Sequence, residues 1–237
     1  MKMKDKKAAQ KEAKEKHLVE RNAAKAKRRG EPVLERSPRV REERPTILIV
    51  CEGKNTEPSY FNQFKLTTAT VRALGNGNNT VSLVNLAITL KEKGTYEEVW
   101  CVFDKDDFSA DDFNSAIQTA TVNNLKVAYS NQSFEYWLIL HFEDHQGGAM
   151  HRDEYDKTLN EYLAPLGAIY EGNSNKIVSE DLFDLLMATD EKLEKSRIEL
   201  AITRAERNYN LLSHISPATK ESSTTVFKLA SRLRSFI

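Results

Sequence analysis

Between residues 46 and 237 the chain alternates short apolar runs with stretches of helical spacing. Ile47, Leu48, Ile49, Val50 and Cys51 form an unbroken apolar run, the pattern of a strand buried on both faces. Residues 98–103, EVWCVF, are a second run of this kind, while residues 68–74, TATVRAL, and 125–130, LKVAYS, read as two further strands. Helical patterns separate them. Tyr60, Phe61 and Phe64 fall on one face of a helix from about Thr56, a candidate N-cap, to Lys65. Val84, Leu86, Ala87 and Leu90 mark a helix opened by Thr80 or Ser82 and closed by Gly94, and Ser109 caps a helix over residues 110–122. Residues 131–144, NQSFEYWLILHFED, predict a helix capped by Ser133 and apolar nearly all round, hence well buried. This order of strands and helices predicts an α/β fold, a mostly parallel sheet flanked by helices. From about residue 145 the spacing is helical: residues 153–163, 179–190 and 197–213, then a last helix to Ile237 capped by Ser222 or Ser223.

Residues 1–29 are rich in Lys, Ala, Glu and Arg, with Leu18 and Val19 almost the only large apolar side chains, and Gly30, Pro32, Pro38 and Pro45 punctuate residues 30–45. Such a stretch has no face to bury. We therefore expect a flexible arm over residues 1–44 and an α/β domain over residues 45–237. The overall net charge of zero hides a segregation. Residues 1–44 hold 16 Lys/Arg against 8 Asp/Glu, and the remainder 19 against 27. A basic arm on an acidic body points to phosphate contacts by Lys25, Lys27, Arg28 and Arg29, or to a solubilising tail. No apolar run approaches the roughly 20 residues of a membrane span, and no apolar segment comes after the first lysines, so the expected compartment is the cytoplasm. Cys51 and Cys101 are the only cysteines and both sit in predicted strands, which argues against a zinc site or a disulfide framework.

The chemistry concentrates where two strands end. The first stops at Glu52-Gly53 and the second at Asp104-Lys105-Asp106-Asp107. Ligands in open α/β sheets collect beyond the carboxyl ends of strands, and glycine there allows a backbone or a phosphate to come close. Side by side, these ends bring Glu52 to Asp104 and Asp106, a set of hard oxygen donors suited to Mg²⁺ or Mn²⁺. The plainer reading of the Asp-rich loop is a solvated turn before a helix cap. Glu135, after the last strand, is either a further ligand or base, or an acid favoured by a helix N-terminus. Lys54, next to Gly53, and Lys176, in the polar loop 172–176, are placed to meet a phosphate or simply solvated. Lys228, Arg232 and Arg234 form a basic stripe with the same ambiguity. No Walker A, GxSxG or GxGxxG pattern occurs, which argues against ATP hydrolysis or serine chemistry by this chain.

Four stretches in order, ILIVCEGKNTEPSYFNQF, VWCVFDKDDF, SNQSFEYWLILHF and SSTTVFKL, resemble the RloB-like family of bacteria and archaea, whose members are encoded near restriction systems and connected with phage defence. The likeness spans residues 46–237. It implies a variant of the Toprim fold, in which a glutamate after the first strand and a DxD after a later one bind a divalent cation. Glu52 then takes the glutamate's place, Asp104 and Asp106 the DxD's, Glu135 the acidic position in the FEYWLILHF stretch, and Lys176 that of a lysine in related nucleases. The expectation is a Mg²⁺- or Mn²⁺-dependent nuclease acting on DNA or RNA in anti-phage defence, with catalytic Glu52, Asp104, Asp106 and Glu135, under control of an AAA- or ABC-type ATPase partner and with no role at a membrane. The alternative is a non-catalytic Toprim-like sensor or scaffold in a defence complex. Strand transfer is a third reading, but Tyr60 and Tyr136 read as packing residues, not nucleophiles.

Overall fold

The structure, a computed structural model, describes residues 2–28, 45–73, 80–106, 109–146, 148, 150–172 and 174–237. The polar loop at 75–79 and Asp107 lie outside the described residues. The chain divides into two compact units, Met1–Glu43 and Arg44–Ile237. In the first, α1 (Lys2–Arg28) is one helix whose residues 10–25 are all exposed, with Leu18 and Val19 in solvent. Its helicity rests on Ala, Lys, Glu and Arg, and over residues 10–25 no apolar stripe is covered.

The second unit is built on a five-stranded sheet. Its strands are β1 (Ile47–Cys51), β2 (Ala69–Ala73), β3 (Glu98–Asp104), β4 (Lys126–Asn131) and the two-residue β7 (Ser223–Thr224), in the order β2-β1-β3-β4-β7. The first four are parallel and β7 is antiparallel to β4. A separate small hairpin pairs β5 (Thr189–Asp190) with β6 (Lys195–Ser196). The unbroken apolar runs have the predicted cause, since both faces of the sheet are covered. From β1, Ile47, Ile49 and Cys51 enter one core with Tyr60 and Phe61 of α2 (Thr56–Asn62). Leu48 and Val50 enter the other, with Leu83 and Val84 of α3 (Thr80–Lys93) and Phe113 and Ala116 of α4 (Ala110–Val122). The first core also takes in α5 (Glu135–Ile139), α6 (Arg152–Leu163), α7 (Glu180–Met187), α8 (Arg197–Leu211) and α9 (Val226–Arg234).

This order matters for the site. β1 connects to β2 on one side and the chain then crosses to β3 on the other, so the carboxyl ends of β1 and β3 flank the topological switch point.

Several local expectations change. Ser109 does cap α4, accepting the Asp112 N–H at 3.1 Å, but Thr56 is the first helical residue of α2 rather than its cap. The helix predicted to follow Ser133 is reduced to the five residues of α5, continued by turns to Phe142, and Phe134 occupies its N-cap. Ser133 turns instead to the Glu135 carboxylate. The helix expected to reach Asp190 ends at Met187, because Thr189 and Asp190 pair with the returning strand. Ser222 and Ser223 do not cap the last helix. Ser223 and Thr224 form β7, and α9 starts at Val226. Cys51 and Cys101 are buried and unpaired, and burial pushes the Cys101 thiol up to about 12.

Candidate functional site: a carboxyl cluster at the switch point

β1 hands over to the site through one further ladder bond, the Glu52 N–H to Val102 O at 2.9 Å. The Glu52 carboxylate then folds toward β3, accepting the Asp104 N–H and, at a long 3.5 Å, the Thr80 hydroxyl. Asp104 is the last residue of β3. One of its oxygens, Oδ2, accepts the Phe134 N–H at 3.0 Å, while Oδ1 is buried with no hydrogen-bond partner. Asp106 comes next but one, in the left-handed region at φ 42°, its N–H held by the Gln132 carbonyl at 3.1 Å. An aspartate tolerates that conformation better than most residues. Lys105 between them donates to the Asp106 carbonyl at 3.1 Å.

Glu135 closes the site from the end of β4. It is buried and accepts the Ser133 hydroxyl on one oxygen and Tyr170 OH, at 2.8 Å, on the other. Tyr170 OH also meets Thr56 Oγ1 at 2.8 Å, and Thr56 donates to the Lys176 carbonyl at 3.0 Å. Since Tyr170 gives its single proton to the carboxylate, Thr56 is the donor in their contact and its proton is divided between the tyrosine and the carbonyl.

Glu57, which no strand-end pattern in the sequence singles out, ties these groups together. In the first turn of α2, it is buried, and its carboxylate accepts its own N–H and that of Gly53. A Cβ on Gly53 would collide with this carboxylate. The glycine thus makes room for the Glu57 side chain. Burial pushes the Glu57 carboxyl up to about 7. Its own N–H works against this, Glu135 adds to it, the Gly53 N–H opposes and Asp106 adds further. Glu52 is also pushed up to about 7, first by burial, against the Asp104 N–H, and then by Asp106 and Glu57. Asp104 is raised well above the usual range by burial and by Glu57, Asp106 and Glu135. Glu57 therefore interacts with all four other acids. Five carboxyls form one electrostatic unit, and a unit of that kind holds protons or a cation near neutral pH.

Residues 47–233 match the model of the RloB-like protein family. The chain belongs to the RloB-like family. The match covers all five carboxyls and leaves out α1. No curated protein and no solved structure matches the chain.

The remaining expected site residues divide. Lys54 is exposed on the loop beside Gly53, and the Lys176 backbone stands three hydrogen bonds from Glu135, through Thr56 and Tyr170. Lys25 is exposed on α1, Lys27 and Arg28 belong to its last turn, and Arg29 lies outside the described residues. The basic stripe of α9 is largely neutralised: Arg232 pairs with Glu98 at 2.6 Å and Arg234 with Glu199 at 2.9 Å. No helix among the described residues is long and apolar enough to cross a membrane.

The donor set fits a hard divalent cation. All five groups are carboxylic, and the partnerless Asp104 Oδ1 has an unused acceptor inside the cluster. The arrangement is not a finished cage, because among the described residues no three His, Cys, Asp or Glu side chains are grouped to hold an ion.

Proposed function

We propose that this RloB-like protein is a divalent-cation-dependent phosphodiesterase acting on DNA or RNA, with the carboxyl cluster as its active site. The observation that carries this reading is the convergence of Glu52 and Asp104 at the switch point, with a buried, partnerless oxygen on Asp104. A glutamate after β1 and a DxD at the end of β3 also fit the Toprim-type order of acids. Glu52, Asp104 and Asp106 would hold Mg²⁺ or Mn²⁺, with Glu57 and Glu135 behind them, and a bound ion would polarise the phosphodiester. Glu52 is half-buried, and burial pushes its carboxyl up to about 7 when no ion is bound, so it is a stronger base than an ordinary carboxylate and is the group we assign to take a proton from an attacking water. Tyr170 and Ser133 fix the Glu135 carboxylate, and Phe134 N–H fixes one oxygen of Asp104, so the acids are held without long flexible stems. In the cell we place this activity in anti-phage defence, with a separate ATPase partner as its control.

One observation favours a second reading. With no ready cation cage among the described residues, the cluster also suits a protonated, structural role in a sensor or scaffold. Calorimetry with Mg²⁺ and Mn²⁺ and a cleavage assay on labelled DNA and RNA separate the two, using wild type, Asp104→Asn and Glu52→Gln. The nuclease reading expects metal binding and cleavage in wild type, both lost in folded variants. Cleavage that survives Asp104→Asn, or no metal binding by folded wild type, supports the scaffold.

A further inference from the structure

Lys220 is 4% exposed, an unusual place for an ammonium. Its Nζ lies 4.3 Å from the centroid of the Tyr209 ring, and the Nζ of Lys228, on α9, lies 4.7 Å from the same centroid. The two ammoniums are thus within about 9 Å of each other on one aromatic platform. Among the described residues neither is ion-paired or hydrogen-bonded through its amine. Other cations of this unit are: Lys126, Arg207, Arg232 and Arg234 all reach carboxylates. A ring quadrupole offsets part of the desolvation of one cation, but two like charges sharing a ring leave a site that an anion would complete. Burial and the charge of Lys228 both hold the Lys220 amine below its ordinary range, in keeping with a cation that lacks its counter-ion.

The topology says where this site faces. β7 runs antiparallel to β4 with Asn131 opposite Ser223 and Ser130 opposite Thr224. Residues just before Ser223 therefore lie beyond the carboxyl end of β4, the end of the sheet that carries the carboxyl cluster. The link is direct. Glu221 accepts Gln132 Nε2 at 3.0 Å, and the Gln132 carbonyl accepts the Asp106 N–H at 3.1 Å.

We propose that Lys220 and Lys228, mounted on Tyr209, bind backbone phosphates of the polynucleotide beside the carboxyl cluster. This rests on the phosphodiesterase reading and names the contact that holds a polyanion near an acidic site. The test is fluorescence anisotropy with labelled single-stranded DNA and RNA, in EDTA at about pH 6, at salt concentrations from about 50 to about 200 mM. Wild type is compared with Lys220→Met/Lys228→Gln, with Lys228→Gln alone and with Lys220→Arg. Each lysine lost should lower the slope of log affinity against log salt by about 0.7, and the charge-retaining Lys220→Arg should keep the wild-type slope. The exposed Lys228→Gln change reports even if the double variant fails to fold. A slope unchanged in folded Lys228→Gln, or no binding by wild type, overturns the site. Cleavage is scored separately in Mg²⁺ or Mn²⁺. A protein that binds through these lysines but cleaves nothing removes the nuclease reading and keeps the phosphate site.

Discussion

Glu57→Gln tests whether the five carboxyls act as one unit. The folded pKa of Glu57 is about 7 against an ordinary 4.5. For an acid shifted upward, the folded state holds the proton that the unfolded chain releases. Its stabilising contribution is therefore complete below about pH 4.5 and is lost as pH rises through about 7. At about 1.36 kcal/mol per pKa unit the loss is about 3 kcal/mol. Glutamine resembles the protonated acid and cannot ionise, and its oxygen can still accept the Gly53 N–H. Wild type and variant should be of similar stability near pH 4.5, with the variant about 3 kcal/mol more stable near pH 8. For a body of this size that is about 6–12 °C in melting temperature. Glu52 and Asp104, which Glu57 raises, are relieved in the variant and add to the difference in the same sense, while groups away from the cluster cancel. His141 is buried and pushed down to about 3, mainly by burial, and contributes the opposite slope, its stability present above pH 6.5 and lost as pH falls. It is present in both proteins and cancels. Urea unfolding at about pH 4.5, 6 and 8 without metal gives the difference directly. A difference that stays constant within about 0.5 kcal/mol, or one that turns against the variant at high pH, would refute the cluster's electrostatics.

Four further expectations rest on the same contacts. Tyr170→Phe leaves Glu135 with the Ser133 hydroxyl alone and should cost about 1–3 kcal/mol in urea unfolding. Gly53→Ala forces its methyl group into the Glu57 carboxylate, so it should remove the pH-dependent step of Glu57 and weaken Mg²⁺ binding in calorimetry. Glu98, held below the carboxylate range because hydrogen bonds from Arg232, Lys126 and Trp100 outweigh its burial, contributes stability present above about pH 4.5 and lost in acid. Glu98→Gln should therefore cost about 1 kcal/mol at about pH 7 and less near pH 3, read from urea midpoints. If a cation enters the cluster it displaces protons, so Mn²⁺ titrated at about pH 6.5 in buffers of different ionisation enthalpy should release about one proton per ion, and fewer at about pH 8.5.

How much of the fold is legible in the chain depends on the range of the forces involved. A strand covered on both faces must be apolar throughout, so Ile47–Cys51 and most of Glu98–Asp104 stand out. A Ser beside a run of helical spacing is a local signal, and Ser109 caps α4 as read. The stretch around Trp137 misleads because a segment apolar on all sides has no face to mark its end. Its buried turns to Phe142 are fixed by tertiary contacts such as Arg204 donating to the Leu140 carbonyl at 2.8 Å. β7 is two residues long, too short for any alternation. Of the site, Glu52, Asp104, Asp106 and Glu135 are visible as acids at strand ends. Glu57 is not, because an acid in the first turn of a helix is ordinarily explained by the helix dipole. The available signal was the glycine four residues before it, on a loop tight enough for the carboxylate to reach back. Tyr170 lies 114 residues from Thr56 and 35 from Glu135, and nothing local announces it.

The cluster must be neutralised by something, and the three available means have different consequences. Protons suffice up to about pH 7 for Glu52 and Glu57, and in that state these two acids no longer repel their neighbours. Under the proposed function a divalent ion would replace those protons at higher pH and cancel part of the cluster's negative charge, so that a phosphodiester would be repelled less. Lysines are the third means, and the described cations are not placed to do this. Lys105 turns to a backbone carbonyl, while Lys220 and Lys228 share the Tyr209 ring. The division is physically reasonable. An ammonium inside the cluster would form internal salt bridges and compete with both metal and substrate. Held on a separate aromatic platform at the same end of the sheet, the lysines stay available to phosphate whatever the carboxyls bind. Under the proposed function, cation capture and polyanion capture are thus assigned to different side chains, so pH should govern the first and salt the second.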